Sequence, residues 1–147
     1  AELVWKRVGK DEKETDALHC CISTPLIQDG HIYGVDSYGQ LRCLDLATGD
    51  RIWESQAPVP RARWSNIHMV QQQETGRVWM FTERGDLIIS ELSPTGYREI
   101  SRTHLIDPTT AQLNQRGGVC WSHPAFAGGR IYVRNDEEIR CFTLLEE

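Results

Sequence analysis

The sequence predicts an all-β fold built from repeated units of four short antiparallel strands. Three observations carry this. A Gly-x-aliphatic-aromatic tetrad recurs as Gly30-His31-Ile32-Tyr33, Gly76-Arg77-Val78-Trp79 and Gly129-Arg130-Ile131-Tyr132, at spacings of 46 and 53 residues. The segments around each tetrad are short, rich in Ile, Val, Tyr and Trp, and bounded by turn residues. No stretch sustains the apolar period of a helix.

In the first unit the strands fall at about residues 22–28, 31–37, 40–45 and 50–54. Asp29-Gly30, Ser37-Tyr38-Gly39 and Ala47-Thr48-Gly49-Asp50 separate them, with glycine where hairpin turns often require φ > 0. Each tetrad is followed by an aliphatic residue, at Leu41, Leu87 and Ile139. Upstream lies a second echo: Ile22-Ser23-Thr24-Pro25, Trp64-Ser65-Asn66-Ile67 and Trp121-Ser122-His123-Pro124. Downstream, Ala47-Thr48-Gly49-Asp50-Arg51-Ile52-Trp53 corresponds to Ser93-Pro94-Thr95-Gly96-Tyr97-Arg98-Glu99-Ile100. Pro108 to Gln115 reads as loop within the long connection from Ser101 to Gly118. A repeat of roughly 40–50 residues is that of propeller blades. The predicted architecture is therefore about three β-propeller blades, a partial propeller. Residues 20–56 and 62–101 form two blades, and 118–147 an incomplete one. Residues 1–6 form the outer strand of a preceding or completed blade.

Composition narrows the function classes. The chain has 147 residues, 39% hydrophobic and 25% charged, which is globular. No apolar run approaches the ~18 residues of a transmembrane helix. A net charge of −5 argues against nucleic-acid or anionic-membrane binding, which needs a basic surface. Five cysteines, an odd number, leave at least one thiol free or paired between chains. No G-x-S-x-G, phosphate-loop, H-E-x-x-H or calcium-loop pattern occurs, so hydrolase, kinase and metalloprotease readings have no support.

Leu3-Val4-Trp5-Lys6 reads as an outermost strand with no blade before it, and the third unit holds only three strands. Three blades do not close a ring, since propellers take about four to eight. Two readings follow: a C-terminal fragment of a larger propeller, which is preferred, or a half-propeller whose homodimer completes six blades.

The stretch from Ser23 to Trp53, with Thr24-Pro25, Asp29-Gly30 before Ile32-Tyr33, Leu44-Asp45, Thr48-Gly49 and Trp53, resembles the repeat of pyrroloquinoline-quinone-type (PQQ-like) β-propellers. Residues 116–142 resemble the C-terminal end of bacterial PQQ-like proteins. The resemblance implies that the Thr-Gly turn and Trp53 lock neighbouring blades, with Trp5, 48 residues earlier, as the counterpart. It also implies a periplasmic or secreted location.

In such a fold the segments leading into the innermost strands meet at one mouth of the central channel. Here they are His19-Cys20-Cys21, Arg61-Ala62-Arg63-Trp64 and Arg116-Gly117-Gly118-Val119-Cys120-Trp121, with Asn66, His68 and His123 just inside. The resemblance implies a quinone site in which Trp64 or Trp121 stacks on PQQ. Arg61, Arg63 or Arg116 would meet its carboxylates, Cys20 and Cys21 would line it as an adjacent pair, and Ca²⁺ would be bound. A separate reading of the residue types is a Zn²⁺ or copper site from His19, Cys20 or Cys21, His68, Cys120 and His123. Cys43 and Cys141 occupy equivalent positions, in Leu-Arg-Cys-Leu and Ile-Arg-Cys-Phe, and are expected to pack between blades. The leading expectation is a non-catalytic binding or scaffold module without a cofactor, partnered by protein or by further blades. The rival is part of a PQQ- and calcium-dependent quinoprotein dehydrogenase.

Overall fold

A computed structural model describes residues 1–110 and 117–144. Among these residues there is no helix, so none is long and apolar enough to cross a membrane. The described residues form three antiparallel sheets. The first holds β1 (Leu26–Gln28), β2 (His31–Val35), β3 (Leu41–Asp45) and β4 (Arg51–Ser55) in sequential order. The second holds β5 (Ile67–Gln71), β6 (Val78–Thr82), β7 (Asp86–Ser93) and β8 (Gly96–His104), again in order. The third holds β9 (Ala125–Ala127), β10 (Arg130–Arg134) and β11 (Ile139–Thr143). These are three blades, the last with three strands, in an arc that does not close.

Alternation along the middle blade explains why the three stack. On β6, Val78 and Met80 point to one face and Trp79 and Phe81 to the other. Val78, Met80, Ile88 and Leu92 join Tyr33, Val35, Leu41 and Cys43 of the first blade in one buried cluster. Phe81 and Leu87, with Trp79 packed against them, join Ile131, Val133, Leu105, Ile106 and Cys120 in a second. The middle blade is thus apolar on both faces. Burial of a Leu- or Ile-sized side chain contributes about 1.5–3 kcal/mol, so the two interfaces outweigh any single polar contact in holding the stack.

Two kinds of fastener bind the blades at opposite rims. At the rim of the β3–β4 and β7–β8 turns, an indole N–H reaches a turn carbonyl one repeat on. Trp53 donates to Ser93 O at 2.8 Å, and Trp5 donates to Leu46 O at 3.0 Å. Gly49 admits Trp5: its φ is +73°, and a Cβ there would lie 2.7 Å from the ring. At the other rim, the lead-in segments of the second and third blades hook the turn after the second strand of the preceding blade. Trp64 N donates to Ser37 O at 2.5 Å and Cys120 N to Glu83 O at 2.7 Å.

Three expectations change. Residues 1–6 form no strand, because no strand among the described residues lies alongside to make a ladder; Trp5 nonetheless occupies its expected place on the Thr48-Gly49 turn. The first blade's inner strand is short, Leu26–Gln28 rather than 22–28, since residues 18–25 cross the rim as irregular chain. Cys43 is fully buried between blades as expected, whereas Cys141 is exposed, because its face of the third blade has no neighbour among the described residues.

Candidate functional site

The residues singled out for chemistry lie along the lead-in rim. Three turns anchor them: Asp36-Ser37 after β2, Glu83 after β6 and Asn135-Asp136 after β10.

At the first turn, Asp36 and Arg42 form a buried pair. Arg42 Nη1 donates to Asp36 Oδ2 at 2.6 Å and to Ala17 O at 2.5 Å, and its Nε donates to Glu54 Oε2 at 2.9 Å. Asp36 Oδ1 accepts the His19 backbone N–H at 2.7 Å. Ser37 collects the neighbours: His19 Nδ1 lies 3.0 Å and Cys21 Sγ 3.4 Å from its hydroxyl. Cys20, at a φ of 43°, instead packs its sulfur against Gly34. Both thiols are free and face different partners. Burial pushes the Cys20 thiol up to about 12, with the Asp36 charge adding to it, so it is protonated and a poor nucleophile near neutrality.

At the second turn, Glu83 is buried and accepts Ser65 Oγ at 2.9 Å and Trp121 Nε1 at 3.2 Å. Trp64 and Trp121 lie with ring centroids 6.5 Å apart and planes tilted by 55°. The guanidinium of Arg63 sits 4.8 Å over the Trp64 ring and is ion-paired to Glu12 at 2.9 Å. Arg61 lies over the Tyr38 ring at 5.7 Å. His68 and His123 are adjacent, with centroids 4.6 Å apart. His68 is 4% exposed; its Nε2 donates to Trp121 O at 3.0 Å, and its buried Nδ1 has no hydrogen-bond partner. Cys120 belongs to the second core cluster, and burial pushes its thiol up to about 11.

The structure therefore links Arg63, Trp64, Trp121, His68 and His123 in a chain of pairwise contacts along the rim, from the first blade's Ser37, bonded by Trp64 N, to the third blade's lead-in. It places His19, Cys20 and Cys21 on the first blade and Cys120 in the core. Arg116 lies outside the described residues. Among the described residues no group of three or more His, Cys, Asp or Glu side chains is placed to hold a metal ion. A 290 Å³ cleft beside this rim is lined by Cys120, Trp121, Ser122, Arg134, Asn135 and Asp136. Glu83 and Arg42, buried polar residues that tie lead-in segments to blade turns, were not singled out by the sequence. A charged residue inside a strand, as in Leu41-Arg42-Cys43, was the available signal for Arg42.

The histidines give opposite pH signatures. Burial, with the His123 charge added, holds His68 below its ordinary value despite the Trp121 carbonyl, which pulls the other way. Its contribution to stability is therefore full above the unfolded-state pKa of about 6.5 and is lost as pH falls toward and through the folded value. His104 bonds Asp86 Oδ1 at 2.8 Å and Asp107 Oδ1 at 3.0 Å, and the Asp86 bond leads in raising its pKa. That contribution is present below about 6.5 and fades as pH rises through the raised folded value. Urea midpoints measured across this range should show His68→Gln flattening the acid-side loss and His104→Gln flattening the fall on the alkaline side. Equal pH profiles for wild type and His68→Gln would contradict the assignment.

The fold and its rims define this molecule as a partial β-propeller of three blades. No protein-family model matches the chain, and no curated protein matches it.

Proposed function

We propose that the chain is a segment of a PQQ-like β-propeller that acts as a binding or scaffold module for protein partners or further blades, without catalysis of its own. The observation that carries this is the engagement of the rim aromatics. A planar quinone needs an open ring face and cations free to meet its carboxylates. Here one face of Trp64 is taken by Arg63, Arg63 is paired to Glu12, and Trp121 spends its indole N–H on Glu83. The two indoles tilt against each other rather than framing a parallel slot. These groups hold the second blade to its neighbours. The protonated Cys20 fits the same reading. A periplasmic or secreted location is proposed with it, on the resemblance of residues 23–53 and 116–142 alone.

The test is addition of PQQ and Ca²⁺ to the chain, with dye reduction followed in the presence of alcohols and sugars. No bound-quinone chromophore and no substrate-dependent turnover are expected. A reconstituted chromophore with turnover would replace the scaffold reading by that of a quinoprotein dehydrogenase. Elemental analysis showing stoichiometric zinc or copper would likewise replace it with the metal reading.

A further inference from the structure

We infer that a polar cleft on the first blade seats a carboxylate side chain from a protein partner. The inference rests on the scaffold reading and gives the partner's chemistry.

The cleft has a volume of about 450 Å³ and lies between residues 13–16 and the first blade. Four cations line it, Lys13, Arg42, Arg51 and Arg61, with three carboxylates, Glu14, Asp16 and Glu54. Every carboxylate is already paired: Glu14 with Lys10 at 2.9 Å, Asp16 with Arg51 at 2.9 Å, and Glu54 with Arg42 at 2.9 Å and Arg51 at 3.2 Å. Two of the cations are not. Lys13 and Arg61 make no ion pair among the described residues, and both sit over the Tyr38 ring, at 6.0 and 5.7 Å. Glu12, at the hydroxyl end of that ring, is taken by Arg63 at 2.9 Å. A ring quadrupole attracts a cation without neutralising it, so two like charges gathered on one ring leave a positive potential in the cleft. Beneath them is a buried donor. The Arg42 side chain, 2% exposed, spends Nε and Nη1 on Glu54, Asp36 and Ala17 O, and its Nη2 makes no hydrogen bond among the described residues. Gln40, also buried, accepts the Tyr38 N–H on Oε1 and has no partner for Nε2 among the described residues.

The unspent groups are thus all donors, and an anion is the acceptor that satisfies them. The charge count decides which anion. The lining carries an excess of one positive charge, and adding Lys10 for Glu14 and Asp36 for Arg42 leaves that excess unchanged. One carboxylate balances it, whereas a phosphate dianion would overshoot it and be repelled by Asp16 and Glu54. A volume of about 450 Å³ is several times that of a carboxylate group, which leaves room for the backbone that carries it. The chain as a whole has a net charge of −5, so the cleft is a local exception that steers an acidic residue to one place on an acidic surface.

The test is a nuclear magnetic resonance titration of the whole chain with a blocked pentapeptide, Ala-Ala-Glu-Ala-Ala, beside its Gln counterpart, acetate and inorganic phosphate. The Glu peptide should shift the amides of Thr15, Gln40 and Arg61 saturably, and added salt should weaken it. The Gln peptide should shift none of them, and acetate and phosphate should bind more weakly than the Glu peptide. Lys13→Gln and Arg61→Gln should each raise the dissociation constant about fivefold, the effect of losing one exposed charge, with the rest of the spectrum unchanged. Arg61→Lys should keep most of the affinity. No saturable shift overturns the inference, as do equal shifts with the Gln peptide or variants that bind like wild type. Acetate binding as tightly as the Glu peptide would overturn the peptide, and phosphate binding more tightly would overturn the carboxylate. Any of these leaves the scaffold reading standing, whereas quinone turnover would end that reading without changing the peptide titration.

Discussion

Replacing Arg42 by methionine is expected to cost about 3–5 kcal/mol, the usual penalty for breaking one side of a buried ion pair. Methionine fills much of the same volume, so the loss is electrostatic rather than a cavity. Asp36 is left with a side chain 1% exposed and the His19 N–H at 2.7 Å, and its charge is no longer balanced by the guanidinium. The Ala17 carbonyl loses its donor as well. The segment carrying His19, Cys20 and Cys21 is tied down by these two groups, so it should loosen first, as faster reaction of Cys20 with a thiol reagent. Arg42→Met combined with Asp36→Asn should recover most of the loss, because the stranded charge goes with it. Denaturant midpoints for the two single variants and the double variant read the coupling directly. Additive losses would show that Arg42 acts through packing alone.

That pair marks where sequence reading stopped. The blade plan was legible because it is periodic: each Gly-x-aliphatic-aromatic tetrad begins the second strand of a blade, and Asp29-Gly30 and Thr48-Gly49 mark real turns. The Trp5 and Trp53 roles were legible for the same reason, one repeat apart. What stayed hidden depends on neighbours. Cys43 and Cys141 hold the same repeat position, but one faces a second sheet and the other solvent, and no local pattern distinguishes them. The strand expected at residues 1–6 has a strand's sequence and its Trp, but a strand exists only as part of a ladder. At the rim, the sequence placed cations, indoles and imidazoles in the lead-in segments. It did not show that Glu83 accepts the Trp121 indole or that Arg63 covers Trp64. Those pairings arise from residues far apart in the chain, so no spacing signals them.

The second large effect is expected at Trp53. Trp53→Ala removes a half-buried aromatic wedged between the first two blades together with its hydrogen bond, and should cost about 3 kcal/mol, the low end for such truncations. Trp53→Phe keeps most of the apolar contact with Tyr33 and loses the indole N–H to Ser93 O, so it should cost about 1 kcal/mol. The two variants separate ring packing from the fastener. The loss should also be directional. Trp53 binds the β7–β8 turn, so amides flanking Ser93–Gly96 should lose protection while the interface of the second and third blades, built on Phe81, Leu87 and Ile131, keeps it. Stacked blades hold together through nearest-neighbour interfaces, and loosening one leaves the next intact only if each is independently apolar. The middle blade's two separate clusters meet that condition. Uniform loss of protection across all three blades would instead mean that the stack unfolds as one cooperative unit.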